Sequence, residues 1–165
     1  MRIPHDARFA RYDLRYLGTD ARSLLTERKI RNVDDMSEQQ RTDFQQVYFR
    51  KKSTLERSFE RFVTDRSFVD VAAYWIEYTG RTDDAFVSQC EYESKNYDVH
   101  LYFPPGVISF ESDGYRSADA EVHRRIDESI VRLLHRWRID AITLMKIDIE
   151  DRLNEVLHRL EARDA

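Results

Sequence analysis

With 165 residues, 41% of them hydrophobic and 12% aromatic, the sequence is long enough to bury one real core and is expected to form one domain spanning 1–165. A single cysteine, Cys90, excludes an intrachain disulfide and any cysteine-only metal site, and no stretch approaches the roughly 18 consecutive apolar residues of a membrane span. The opening Met-Arg-Ile-Pro-His-Asp lacks the apolar run of a secretory signal, so a cytoplasmic chain with no membrane partner is expected.

The net charge of −4 hides an uneven distribution, with eight Lys/Arg against four Asp/Glu in residues 1–32 and three against nine in residues 67–116. A basic end and an acidic middle can steer partners or attract each other. Four glycines and three prolines beside 35% charged residues favour long helices over an all-β sandwich.

Residues 6–17 place Phe9, Tyr12 and Tyr16 at helical spacing, with Arg8, Arg11 and Arg15 in a second stripe beside them. Asp6 is suited to start this helix and Gly18 to end it. Interleaved arginines and aromatics suit single-stranded nucleic acid through phosphate contacts and base stacking, although inward aromatics and solvated arginines give the same pattern.

A short helix is expected over residues 20–32, around Leu24, Leu25 and Ile30. Ser37 opens a stronger one, since Ser37-Glu38-Gln39-Gln40 has the form of a capping box. Its apolar face runs through Phe44, Val47, Tyr48, Leu55, Phe59, Phe62 and Val63. Arg50-Lys51-Lys52 interrupts that face, with stems expected to pack and charges to reach water. Residues 68–79 are apolar nearly all round, and their length together with Gly80 favours a buried helix.

Residues 85–112 alternate as strands do, which predicts a three-stranded antiparallel meander over 85–94, 97–104 and 107–112. Tyr92 opposite Val99 and Cys90 opposite Leu101 leave Lys95-Asn96 as a two-residue loop. Phe103 opposite Ile108 and Leu101 opposite Phe110 leave Pro105-Gly106, which has type II turn chemistry. This register sets Glu91, His100 and Glu111 side by side, where two carboxylates would raise the imidazole pKa. Such a trio suits acid–base or metal chemistry, and equally an ordinary solvated sheet face. The fold class expected is therefore α+β, a meander covered by helices with a helical C-terminal third.

Residues 118–163 read as helix, in two pieces broken at Asp140, with a strand at 142–149 as the rival. Leu153, Val156, Leu157 and Leu160 make an apolar stripe suited to self-association or to docking on another protein. No Gly-x-Gly-x-x-Gly, Walker A, His-Glu-x-x-His or Cys-x-x-Cys pattern occurs, so neither cofactor nor metal is expected. A non-enzymatic protein-interaction module, such as an adaptor, inhibitor or subunit, is the leading reading. Nucleic-acid binding through the N-terminal stripes and an enzyme centred on Glu91, His100 and Glu111 are the alternatives.

Overall fold

The computed structural model describes residues 6–18, 21–107 and 119–164. A 3-10 helix, Ala7–Tyr12, leads into strand β1, Arg15–Leu17, and helix α1, Ala21–Glu27. Helix α2, Glu38–Glu56, is followed by strand β2, Phe62–Thr64, and helix α3, Phe68–Thr79. Helix α4, Ala85–Ser94, then precedes strand β3, His100–Tyr102, helix α5, Ala120–Arg136, strand β4, Ala141–Thr143, and helix α6, Ile149–Asp164. The strands form two separate parallel pairs, β1 with β2 and β3 with β4, in which Tyr16 faces Val63 and Leu101 faces Ile142. Parallel neighbours require crossover connections, and here helices supply them.

The antiparallel meander is therefore not present. Residues 85–94 are helical because Asp84 caps them, its carboxylate accepting from the Val87 amide at 3.0 Å. Val87, Cys90 and Ser94 lie buried along one side at helical spacing, whereas Tyr92, which the strand reading turned inward, is 68% exposed. Lys95-Asn96 closes this helix and makes no hairpin, and β3 pairs with a strand some forty residues later. Pro105-Gly106 does form the expected tight turn, with Gly106 at φ 85° and the Val107 amide donating to the Pro104 carbonyl at 3.3 Å. The expected third strand lies, beyond Val107, outside the described residues.

Where capping chemistry was explicit, local structure follows it. Ser37 and Gln40 exchange the two hydrogen bonds of a capping box at the start of α2. Helix α3 has the expected bounds and ends on Gly80 at φ 66°, whose amide donates to the Ile76 carbonyl at 2.8 Å. The N-terminal helix is shorter than expected. Asp6 caps it, but Asp13 in the left-handed region stops it, and the chain leaves as β1. Phe62 and Val63, placed on the α2 face by spacing alone, belong to β2. Asp140 does precede a break, into β4 instead of a second helix. Helix α6 starts later, where the Asp148 carboxylate accepts from the Glu150 and Asp151 amides.

Two apolar clusters hold these elements. In the larger one, α3 packs against α2, α4 and α5 through Phe68, Val69, Ala72, Trp75 and their neighbours. In the smaller, Phe9 and Leu144 meet Leu153 and Val156 of α6, with Tyr12, Leu157 and Leu160 partly buried at the edge. The C-terminal stripe is thus covered in large part by the chain's own N-terminal segment. Among the described residues, no helix is long and apolar enough to cross a membrane.

Candidate functional site

Parallel strands leave their carboxyl ends open, and in such sheets ligands bind beyond those ends. Tyr16 and Gly18 at the end of β1, and Asp65 and Arg66 at the end of β2, open onto a cavity of about 490 Å³. Gln45 and Tyr48 of α2, Tyr74 and Tyr78 of α3 and His123 of α5 continue its wall, with exposed Arg22 at its edge.

Arg66 holds the cavity's cation in an unusual way. Its backbone sits at φ 67°, a left-handed conformation that costs a bulky residue about 1–3 kcal/mol. Its guanidinium lies 5.4 Å over the Tyr74 ring. Among the described residues it has no ion-pair or hydrogen-bond partner. Asp70, four residues on, spends its carboxylate on the amide and hydroxyl of Ser67, at 2.7 and 3.1 Å. Burial works against the Arg66 charge, yet the phenols of Tyr74 and Tyr48 and the carboxylates of Asp70 and Asp65 outweigh it and raise its pKa. Burial likewise pushes the Tyr48 phenol up to about 12 and raises Tyr78, so both stay protonated near neutral pH. Behind Tyr78, Arg41 stacks 5.1 Å from the ring, and its buried Nε has no partner.

A rigid polar brace fixes the end of β2. Lys52, fully buried, donates to Glu56 Oε1 at 2.5 Å and to Thr64 Oγ1 at 2.9 Å, and Tyr97 donates to Glu56 Oε2 at 2.8 Å. The expectation that the Lys52 charge reaches water is therefore corrected. Its partners lie in the interior because Thr64, at the end of β2, and Tyr97 turn toward α2, an arrangement the helix reading of Phe62 and Val63 concealed.

The residues singled out by sequence are scattered. Glu91 pairs with Lys95 on α4 at 2.6 Å, His100 sits on β3, and Glu111 lies outside the described residues. With no meander, nothing brings Glu91 beside His100. The imidazole Nε2 instead lies 2.9 Å from the Ser94 carbonyl, and the ring stands edge-on to Tyr97. Burial lowers its pKa, against smaller raising effects of the Ser94 carbonyl and Asp70. The expected direction was upward, so this too is corrected.

An NMR titration should give His100 a midpoint below the ordinary 6.5. Its contribution to stability would then be whole above pH 6.5 and fall as acid carries the folded state through its lower pKa, because the unfolded chain binds the proton first. A midpoint above 6.5 would contradict this environment.

Arg8 bonds Asp6, Asn154 and Glu150, and Arg11 bonds Glu161, which ties the N-terminal turn to α6. Arg15 covers the Phe59 ring at 4.9 Å. Phe9 is buried, Tyr12 half-buried, and Tyr16 lines the cavity. Among the described residues, no group of three or more His, Cys, Asp or Glu is placed to hold a metal ion. Of the cavity's polar wall, the sequence reading singled out Tyr16 but not Gln45, Asp65, Arg66, Asp70 or His123. The signal was a short β-branched run, Phe62-Val63-Thr64, followed by Asp65-Arg66 and the capping Ser67, which is the grammar of a strand turning into a helix.

The β1–α1 junction is also where a phosphate-binding loop would be sought. Glycines at 18, 80, 106 and 114 include no pair spaced as Gly-x-x-x-x-Gly-Lys-Ser/Thr requires. A Cβ on Gly18 would meet the Tyr16 ring at 3.3 Å, so this chain's own side chain fills the space beside it. Gly80 and Gly106 have nothing within 4 Å and serve turns. The residues present do not fit a triphosphate cradle.

No curated protein and no solved structure matches the sequence. A family model described as an AAA domain matches residues 6–152, nearly the whole of the described fold, and the chain belongs to that family.

Proposed function

We propose that this member of the AAA domain family acts as a binding protein, not as a self-sufficient nucleoside-triphosphate hydrolase, and that its cavity takes a small phosphorylated ligand bearing hydroxyl groups. AAA domains of the P-loop kind hold triphosphate and Mg²⁺ on a glycine-rich loop with a lysine and a Ser/Thr, and these 165 residues supply no such loop. The reading rests on one observation, the guanidinium of Arg66, which lines the cavity with the Tyr74 ring 5.4 Å away and no hydrogen-bond or ion-pair partner among the described residues. The planar fork of a guanidinium matches phosphate. The carboxylate of Asp65 on the same wall disfavours a bare anion but accepts hydrogen bonds from a sugar's hydroxyls.

Isothermal titration with ribose 5-phosphate, and with inorganic phosphate as the smaller probe, tests this. Saturable binding is expected, tighter for the sugar phosphate, and Arg66→Gln should weaken it at least about tenfold, since a charge-assisted hydrogen bond is worth about 1.5–3 kcal/mol. Equal affinity in the variant, or heat from neither probe, would overturn the reading.

A further inference from the structure

Helices α2 and α4 both pack on α3, and between them runs a groove of about 540 Å³. The two helices touch through the Phe49 and Phe86 rings, 5.4 Å between centroids, and through Glu93, which accepts from Ser53 at 3.2 Å and from Arg57. Glu93 is the groove's one carboxylate, 7% exposed and bonded also by Asn96. The charges that the groove turns to solvent are therefore both positive, the exposed guanidiniums of Arg50 and Arg57. Arg50 has no hydrogen-bond or ion-pair partner among the described residues, and Arg57 meets Glu93 through Nη2 alone. Beside them on the α4 wall, Tyr92 leaves 68% of its surface in water. We infer that this groove docks an acidic amphipathic helix of another protein, with carboxylates on Arg50 and Arg57 and an apolar side chain between them against Tyr92.

Spacing selects a helix as the occupant. Arg50 and Arg57 stand two turns apart on one face of α2, about 10 Å along its axis, and a second helix presents its own equivalent positions at the same repeat. Ser53 and Thr54 fall between the arginines, and Ser88 lies on the α4 wall. Side chains this small leave room for an incoming leucine, as a knob enters a hole. Tyrosine and arginine are the residues that dominate binding energy at protein interfaces, and a positive groove selects acidic sequences and fixes their register. A nucleic-acid strand would answer the same charges, but its bases need a succession of rings to stack on, and Tyr92 is the one exposed aromatic among the groove's residues.

Fluorescence anisotropy of a labelled synthetic helix against the full chain tests this. The peptide is three repeats of Glu-Ala-Gln-Leu-Leu-Ala-Gln, compared with versions carrying glutamine or lysine at each glutamate. Saturable binding is expected for the glutamate peptide, at least about tenfold tighter than for the glutamine one and weakening as salt rises, as close charge pairs across an interface require. Arg50→Glu should abolish that preference and favour the lysine peptide, a reversal that a merely structural role would not produce. Tyr92→Ser should weaken the glutamate peptide by at least about tenfold. Both side chains are exposed, and thermal melts check that the variants compared are folded. No saturable binding of the glutamate peptide, or equal affinity for the glutamate and glutamine peptides, overturns the inference. So does an affinity unmoved by both substitutions. A single-stranded oligothymidylate that binds more tightly than the peptide and displaces it would make the groove a nucleic-acid site and overturn it as well. Titration with ribose 5-phosphate bears on Arg66 alone, so the two readings fail separately.

Discussion

Lys52→Ala should destabilise the protein by about 3–5 kcal/mol, because it strands a buried carboxylate. Lys52 is fully buried and Glu56 is 6% exposed. Without the ammonium, Glu56 would keep only the Tyr97 hydroxyl, 2.8 Å away, and Thr64 would lose the donor that anchors the end of β2. Replacing both charges together, Lys52→Met with Glu56→Leu, should recover most of the loss, since a matched apolar pair avoids the desolvation of two ions. Urea unfolding of the two single variants and the double one measures this. A Lys52→Ala cost below about 1 kcal/mol, typical of an exposed pair, would show that the network is hydrated and does not brace the strand.

Arg66→Gly should separate stability from binding. Glycine adopts the observed φ of 67° without the steric cost that arginine bears there. The variant should therefore be as stable as the parent or up to about 1 kcal/mol more so, after the loss of the Tyr74 contact, while binding of ribose 5-phosphate falls below detection. Strained conformations occur at helix ends, as at Asp13, and also cluster at binding sites, and the two measurements separate these roles for Arg66. Thermal melts and titration on the same sample decide the matter. A variant destabilised by 2 kcal/mol or more with undiminished affinity would make Arg66 a structural residue.

What could be read from the sequence followed the reach of each signal. Ser37 with Gln40, and Gly80 after a twelve-residue apolar run, are local instructions, and α2 and α3 start and stop where those residues dictate. The strands are three residues each, too short to show a period. Tyr16 meets Val63 and Leu101 meets Ile142 across crossovers that no local pattern announces.

Residues 85–94 satisfy both periods at once, since Phe86, Ser88, Cys90 and Tyr92 alternate while Val87, Cys90 and Ser94 recur on a helix. The Asp84 cap, joined to the Val87 amide, settles the competition in favour of helix. The meander expectation, and the Glu91, His100 and Glu111 trio built on it, followed from weighing alternation above capping. The cavity was hidden for a related reason. Its residues come from β1, α1, α2, the turn after β2, α3 and α5, and only tertiary packing gathers them.

The most direct test of the account is the Nε–Hε resonance of Arg66, followed by ¹⁵N-edited NMR as ribose 5-phosphate is added. The account predicts a saturable shift of Arg66, with Arg50 and Arg57 in the groove between α2 and α4 unmoved. An Arg66 resonance that stays still while ligand binds, or shifts confined to the arginines of that groove, would contradict it.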